Sequence, residues 1–155
     1  MATPEDPPSF TTLPTWLLNQ TAQHAQRLLK SGFAELDAKG YHYRVLATLD
    51  ELGPASQATL GRRCGIHLSD LVATINDLTA QDYVRRSPDP ADRRRNTISL
   101  TPAGRRRLRD LHERVVAIQD ELLAPLTARE REQLTALLGR VLAYHTERSA
   151  NDEGR

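Results

Sequence analysis

Residues 83–100 constrain the fold of this chain more than any other segment, because they predict a β-hairpin with a cationic tip. Two short runs rich in strand-forming residues, 83–86 and 96–100, flank a turn built from Pro, Asp and Arg. The hairpin directly follows two helical patterns that are joined by a glycine. This order predicts a helix-turn-helix with an added hairpin, and therefore a mainly α-helical chain with little sheet.

Capping residues and apolar spacing indicate the helix-turn-helix. Ser56 is a suitable N-cap for a short helix over 57–64, and Gly65 can adopt the left-handed conformation that ends it. The next predicted helix covers 67–81. Its apolar positions step by four and three, at Leu71, Ile75 and Leu78. The second helix is therefore expected to bury one face.

Helical patterns also flank this central segment. The first two cover about 13–36 and 41–52. After the hairpin, Thr101 and Pro102 begin one long helix, and a capping box at 127–130 begins another. Apolar seams run along both: Leu108, Leu111, Val115, Ile118 and Leu122, then Leu134, Leu137, Leu138, Val141, Leu142 and His145. Such seams close an intramolecular bundle or pair with a second copy of the chain.

Composition limits the functional class. With 155 residues and 39% hydrophobic content, the chain can bury one good core and is too short for two large domains. Because no apolar run approaches the ~20 residues of a membrane span and residues 1–8 do not resemble a signal peptide, we expect a cytosolic protein without membrane contact. The single Cys64 excludes an internal disulfide. Since the sequence has no nucleophile elbow, phosphate loop or metal-ligand spacing, we expect no enzymatic activity, metal or cofactor.

Formal charge is concentrated in the middle of the chain. Residues 57–107 contain ten basic and five acidic side chains, for a net charge of +5, whereas residues 1–56 and 108–155 each carry −2. A basic segment that coincides with a helix-turn-helix is expected to meet a polyanion. The sequence therefore predicts binding to double-stranded DNA.

Short motifs follow one another in a specific order: Gly53 to Gln57, Leu60-Gly61, Gly65-Ile66, Leu78, Asp82 to Arg86, Asp89-Pro90, Asp92 to Arg94, and Ser99 to Gly104. In these residues, and over 13–147 as a whole, the chain resembles the MarR family of bacterial transcriptional regulators. The resemblance implies winged helix-turn-helix lobes, an obligate homodimer and, usually, repression that a small ligand or an oxidant relieves. The two-fold symmetry of a dimer matches a palindromic operator.

The expected organisation has five parts. Residues 1–10 form a disordered tail, 11–39 an N-terminal dimerisation helix, 41–100 the DNA-binding lobe, 101–148 the C-terminal dimerisation helices and 149–155 a flexible tail. The predicted fold class is mainly α with a small β-hairpin wing (α+β), in which a winged helix-turn-helix lobe is joined to a helical dimerisation region.

By this resemblance, the helix that begins at His67 enters the major groove. The residues near the bases are then His67, Leu68, Ser69, Asp70, Ala73 and Thr74. The helix departs from the common pattern, because residues 67–81 contain no Lys or Arg and include Asp70 and Asp77. Asp70 has two open interpretations, a contact with cytosine N4 and a carboxylate favoured by the helix dipole. Affinity must therefore come from elsewhere.

The predicted wing supplies positive charge. By resemblance, Arg94 enters the minor groove and Asp92 orients it, with Arg93 and Arg95 beside them at the tip. Candidates for phosphate contacts are Ser56, Gln57, Arg62 and Arg63, and Arg86 is a further candidate within the wing. Arg62, Arg63 and Arg86 have a structural ion pair as their alternative role. Residues 105–107, all Arg, are expected to be exposed helical charge.

The resemblance also implies an effector site. In the MarR family the ligand pocket lies between the DNA-binding lobe and the dimer helices, and its candidate lining residues here are Trp16, His24, Tyr41, His42 and Arg44. Each has a core or surface role as its alternative, and the expected class of effector is a small aromatic or anionic molecule. Cys64 lies at a position expected to face the core, which favours packing over redox sensing.

The function predicted from the sequence is a homodimeric regulator of transcription, a repressor, that binds an inverted repeat. Its recognition helix occupies the major groove, its Arg-rich wing occupies the minor groove, and a small-molecule effector releases it. The alternative, motivated by the acidic recognition helix, is a winged-helix dimer that binds another protein without specific DNA readout.

Overall fold

The computed structural model describes residues 9–153. The chain divides into two compact units, the first ending at Ile118 and the second beginning at Gln119. Within the described residues, a 3₁₀ turn precedes six α-helices and three short strands. The helices are α1 Pro14–Ala34, α2 Gly40–Leu52, α3 Gln57–Cys64, α4 Leu68–Ala80, α5 Pro102–Leu122 and α6 Ala128–Glu153; the strands are β1 Ala55–Ser56, β2 Val84–Pro88 and β3 Asn96–Leu100. The predicted fold class, mainly α with a small β element, is confirmed.

The helix caps predicted from the sequence are present. The Ser56 hydroxyl oxygen accepts a hydrogen bond from the Thr59 N–H at 3.2 Å, and Gly65 ends α3 with a φ of 61°. At the start of α6, the Thr127 N–H donates to Glu130 at 2.8 Å and the Glu130 N–H donates back to the Thr127 hydroxyl at 3.3 Å. Because these signals are local in the sequence, they fix helix boundaries without tertiary context.

Two helix ends differ from prediction. α1 ends at Ala34 rather than at residue 36, because Asp37 adopts a φ of 51° and the chain turns back so that the Ala38 N–H donates to the Phe33 carbonyl. α6 continues to Glu153, so the tail predicted from residue 149 is helical over most of its length. The predicted disordered tail lies outside the described residues except at positions 9 and 10.

The hairpin forms part of a three-stranded sheet. β2 and β3 pair antiparallel with Val84 opposite Leu100 and Pro88 opposite Asn96. β1 adds to the other edge of β3 with Ala55 opposite Ile98, which gives the order β1-β3-β2. The sequence analysis missed β1, because a strand of two residues has no alternation that could reveal it.

The core lies between the helix-turn-helix and the base of the hairpin. Its fully buried side chains include Leu46, Leu60, Leu71, Ile75, Leu78, Ile98 and Leu111, which come from α2, α3, α4, β3 and α5. Cys64 is also buried, and its thiol donates to the Thr48 hydroxyl at 3.3 Å. This position agrees with a packing role for Cys64, because a reactive thiol needs exposure.

The start of α5 is held against the turn between α4 and β2. Asp82 takes a left-handed conformation in that turn, with a φ of 59°. The Thr101 hydroxyl donates to the Asp82 carbonyl at 2.5 Å and accepts from the Gly104 N–H at 2.9 Å, while the Thr101 N–H donates to the Tyr83 carbonyl at 3.2 Å. A Cβ on Gly104 would overlap the Tyr83 carbonyl oxygen. We call these four residues the α5 anchor.

Arg107 reinforces the α5 anchor. Its guanidinium donates to the Leu36 carbonyl and, at 3.3 Å, to the Asp37 carbonyl, and it lies 5.5 Å from the centre of the Tyr83 ring. The expectation of exposed helical charge agrees with the structure for Arg105 and Arg106 and is wrong for Arg107, whose side chain is half-buried.

A buried histidine joins α2 to α4. The His42 ring is 5% exposed, and its Nε2 atom lies 3.4 Å from an oxygen of Asp77. Burial lowers the pKa of His42 below its ordinary value, with smaller contributions in the same direction from Lys39 and Arg107, while Asp77 acts in the opposite direction. The folded protein therefore favours the neutral ring.

The terminal helices expose apolar surface. No side chain in residues 128–151 of α6 is buried, and Leu137, Val141 and Leu142 are each more than half exposed. In α1, Leu17 and Leu18 are also exposed.

No helix in the described part of the chain is long and apolar enough to cross a membrane.

We predict that Gly104→Ala lowers the free energy of unfolding by about 3 kcal/mol, because the new methyl group meets a backbone oxygen that can move only if the α5 anchor opens. Denaturant titration measures this effect. Gly139→Ala is the matched control, since its Cβ meets nothing within 4 Å, and the helix gains about 0.5–1 kcal/mol from the lost glycine. Equal stability of the two variants would contradict the description of the anchor.

We predict that stability falls as the pH drops below about 6.5, the ordinary pKa of histidine. Because the pKa of His42 is lowered in the folded state, the unfolded chain binds more protons in this range, and acid favours unfolding. Thermal melts between about pH 5 and pH 8 should show a smaller decline for His42→Gln than for the wild type. His24→Gln, at an exposed position on α1, is the control; the same decline in all three proteins would contradict the prediction.

Candidate nucleic-acid interface

α4 presents one exposed stripe opposite its buried face. Ser69, Ala73, Asn76 and Ala80 are all exposed and follow one another at steps of four, three and four. The opposite face holds the core residues Leu71, Ile75 and Leu78. At the beginning of the helix, Leu68 is 67% exposed although it is apolar. His67 and Asp70 are exposed beside it.

Thr74 does not belong to this exposed face. Its side chain is 5% exposed, and its hydroxyl donates to the Asp70 carbonyl one turn earlier at 2.7 Å. The prediction that Thr74 lies near the bases is therefore wrong. The resemblance to the family placed Thr74 with Ala73, but one residue turns the side chain by about 100° around a helix and carries it into the core.

Asn76 is the residue of the stripe that the sequence analysis missed. Its side-chain oxygen accepts a hydrogen bond from Arg86 Nη2 at 2.6 Å, which joins α4 to β2. Helical spacing could have predicted its position, because residue 76 follows Ala73 by three and Ser69 by seven and so lies on the same face of the helix. Arg86 thus contacts α4 directly, which gives it a structural role.

The acidic character of α4 is smaller than its sequence indicates. The Asp77 carboxylate lies 3.7 Å from Lys39 Nζ, so a lysine from before α2 compensates its charge. Asp70 is exposed, and its carboxylate makes no hydrogen bond or ion pair within residues 9–153.

Two aspartates shape the tip of the wing, which comprises residues 89–95 between β2 and β3. Asp89 accepts from the Ala91 N–H at 2.9 Å, and Asp92 accepts from the Arg94 N–H at 3.0 Å. The Asp89 N–H donates to the Arg95 carbonyl at 2.8 Å and closes the loop. Side-chain bonds to the backbone two residues ahead are the standard way in which Asp stabilises a turn.

The Asp92 carboxylate contacts the backbone N–H of Arg94 and not its guanidinium group. The second oxygen of Asp92 lies 3.8 Å from Arg95 Nε, so its ionic partner is Arg95. The expected pairing of Asp92 with Arg94 is thus made through the Arg94 N–H, and the insertion of Arg94 into a minor groove stays a prediction. Arg93 and Arg94 make no side-chain hydrogen bond or ion pair within the described part of the chain, and both are exposed.

The predicted phosphate contacts have mixed surroundings. The Ser56 hydroxyl caps α3, and Gln57 is half-buried at the first position of that helix. Arg62 is exposed and donates to the neutral Thr59 hydroxyl at 3.4 Å. Arg63 lies 3.3 Å from Glu51, in a pair whose two side chains are largely exposed. Such a surface ion pair contributes little to the free energy of folding. Arg63 can therefore leave Glu51 for another anion with little loss of free energy.

The structure brings together only two of the five predicted effector residues. Tyr41 and Arg44 line a cavity of about 270 Å³, and the Arg44 guanidinium lies 5.7 Å from the centre of the Tyr41 ring. Trp16 contacts Phe10 edge to face, with ring centres 6.1 Å apart. His24 is bonded to Arg27 on the surface of α1. His42 is buried and lies against Asp77, which agrees with the core role given as its alternative.

Tyr43 is the pocket residue that the sequence analysis missed. It lines the cavity of Tyr41 and Arg44 and also a second cavity of about 480 Å³, which His112 shares. Its hydroxyl lies 3.1 Å from His112 Nδ1, and its ring stacks on Phe33 with centres 6.0 Å apart. Within residues 9–153, no cluster of three His, Cys, Asp or Glu side chains is arranged for a metal ion.

Comparison with known proteins agrees with this architecture. A sequence model described as the MarR family matches residues 36–95, from the turn after α1 to the tip of the wing. One solved structure that this chain resembles is a probable transcriptional regulator from Pseudomonas aeruginosa, with 30% sequence identity and a TM-score of 0.76. The match covers 86% of this chain and 99% of the Pseudomonas chain.

Two further solved structures match over nearly their whole length. A mutant of MarR from Escherichia coli, crystallised with operator DNA, is 26% identical over 88% of this chain and 99% of that chain, with a TM-score of 0.73. The PcaV transcriptional regulator from Streptomyces coelicolor, crystallised with its natural ligand, is 28% identical over 89% of this chain and 97% of that chain, with a TM-score of 0.75. Together with the ordered motifs and the winged helix-turn-helix fold, these similarities show that the chain belongs to the MarR family of transcriptional regulators.

Proposed function

We propose that this protein is a homodimeric transcriptional repressor that binds an inverted repeat in double-stranded DNA and is released by a small molecule. The observation that carries the proposal is the wing, whose Arg93 and Arg94 guanidinium groups have no partner within residues 9–153. The hydrogen bonds from the Ala91 and Arg94 N–H groups to Asp89 and Asp92 fix the backbone that carries these two side chains. A preorganised pair of uncompensated cations beside an exposed helix suits a polyanion.

The recognition helix chooses the bases in this proposal. The exposed side chain of Leu68 can contact the methyl group of thymine, and Ser69 can bond to several base edges. Ala73 leaves room for the helix to approach the floor of the major groove. Because Lys39 offsets Asp77, the repulsion between α4 and the phosphates is limited to Asp70.

The wing supplies a large share of the affinity. Narrow minor grooves concentrate negative potential, and an inserted Arg94 gains most from it. Arg62 and Arg63 are suited to the neighbouring phosphates, since neither is held by a buried partner. Contacts of this kind release counterions, so binding should weaken as salt increases.

A second copy of the chain covers the apolar seams in this proposal. The α6 seam, formed by Leu137, Leu138, Val141 and Leu142, is exposed in the single chain. Exposed apolar stripes of this length mark association surfaces. A two-fold dimer places two recognition helices on the half-sites of an inverted repeat.

A small aromatic or anionic effector fits the cavity beside α2. Arg44 can pair with an anionic group there, and Tyr41 and Tyr43 offer aromatic faces. The structure of the PcaV transcriptional regulator in complex with its natural ligand supports the assignment of an effector to this chain. A regulator of this type works in the cytoplasm, where the bacterial chromosome lies.

Selection of genomic fragments by the purified protein, followed by footprinting, tests the proposal. We expect enrichment of an inverted repeat with half-sites about one helical turn, ~34–36 Å, apart. Recovery without any enriched sequence would favour the alternative, a winged-helix dimer that binds another protein. The compensation of Asp77 by Lys39 argues against that alternative, because it removes part of the acidity that motivated it.

We predict that Arg94→Ala weakens binding to the selected duplex by about 1–3 kcal/mol, because a minor-groove contact is lost. Because both subunits of the dimer lose one cation, the slope of log K against log salt should become shallower by about 0.9 per subunit, or about 1.8 for the complex. Arg105→Ala, which removes an exposed cation from α5, is the matched control and should have a smaller effect. Unchanged affinity of Arg94→Ala in a gel-shift titration would remove the wing from the mechanism.

We predict that the wild type has the mass of a dimer in light scattering at micromolar concentration and that Leu142→Glu shifts it toward the monomer. A charge in the centre of an apolar seam must be desolvated when the seam pairs. Ala136→Glu changes the opposite face of the same helix and should leave the mass unchanged. A monomeric wild type would contradict the dimer.

A further inference from the structure

We propose that Asn76 contacts a guanine in the major groove and that Arg86, although it belongs to the wing, positions it. The inference rests on the proposed DNA binding and adds a specificity-determining pair to it. Its basis is the 2.6 Å hydrogen bond from Arg86 Nη2 to Asn76 Oδ1 between β2 and α4. Within the described residues, this is the only side-chain hydrogen bond between α4 and the strands.

Asn76 has the right position for base contact. It is exposed and lies in the same stripe of α4 as Ser69 and Ala73. With a rise of 1.5 Å per residue, it stands about 10 Å along the helix axis from Ser69. A helix that reads bases through Ser69 and Ala73 therefore brings the polar group of Asn76 over the following bases.

The bond to Arg86 determines which end of the amide faces outward. A guanidinium has only donors, so the group it contacts must be the amide oxygen. The Asn76 NH₂ group is then left to interact with DNA, and it is a donor. Asn recognises adenine with both ends of its amide, the oxygen toward N6 and the NH₂ group toward N7, and the bond to Arg86 holds the oxygen toward β2 instead.

Arg86 adds the charge that α4 lacks. The helix has no Lys or Arg of its own from Leu68 to Ala80. The Arg86 side chain is half-buried against it and has further donors beside the bond to Asn76. The pair thus presents several donors and a positive charge at one point of the groove. Guanine, with O6 and N7 as adjacent acceptors, is the base that matches such a surface.

Binding-site selection with duplexes that carry a randomised central segment tests the proposal. Asn76→Asp is the key variant, because it keeps an oxygen for Arg86 and replaces the outward donor by an acceptor. We expect the wild type to enrich a guanine at one position of each half-site, with a preference of roughly 5- to 100-fold over the other bases. Asn76→Asp and Asn76→Ala should lose this preference and keep the rest of the enriched sequence.

Arg86→Ala should lower the same preference, since it leaves the Asn76 amide free to rotate. Arg85→Ala is the matched control, because successive side chains of a strand point to opposite faces and Arg85 is exposed on the other one. Thermal melts show whether each variant is folded at the selection temperature. Variants that unfold are replaced by Asn76→Ser, for which the same loss is expected.

Three results would overturn the inference. An unchanged enriched sequence for Asn76→Asp would mean that Asn76 only supports Arg86. Uniform weakening across all sequences, with a shallower salt slope, would identify a phosphate contact instead. Absence of any enriched sequence for the wild type would refute the proposed function together with the inference, whereas the first two results leave the proposed function intact.

Discussion

The α5 anchor determines how the two parts of the candidate interface are held. Thr101 connects the end of β3 to the turn after α4, because its N–H donates to Tyr83 and its hydroxyl donates to Asp82. Both ends of the hairpin are thereby attached at one point, directly beyond the recognition helix. Gly104 makes this approach possible, since any larger residue would meet the Tyr83 carbonyl oxygen. The wing and α4 consequently share a single support.

Local signals in the sequence predicted most of the fold. Ser56, Gly65 and the capping box at Thr127 each act within four residues, so their consequences could be derived without knowing the tertiary structure. β1 and Arg107 could not be predicted in this way. The strand exists only because β3 offers it a partner, and Arg107 is half-buried because two carbonyl groups of the segment after α1 lie beside it.

The positions of the basic residues in the candidate site could be predicted from the sequence. The hydrogen-bond and ionic partners of its aspartates could not. The sequence placed the cations at the wing, yet it could not tell that Asp92 would bind the Arg94 backbone and the Arg95 side chain. The same holds for Asp77, whose counterion Lys39 lies far away in the sequence. Thr74 shows a different limit, because an error of one residue in helical phase exchanges a buried position for an exposed one.

The division of α4 into two faces has an evolutionary consequence. Leu71, Ile75 and Leu78 are committed to the core, whereas Ser69 and Ala73 have no part in it. Substitutions on the exposed stripe can therefore accumulate without loss of folding, and a duplicated gene can acquire new targets while it keeps the same scaffold. The exception is position 76, where a change also affects Arg86. Divergence there is expected to be slower and to involve both residues together.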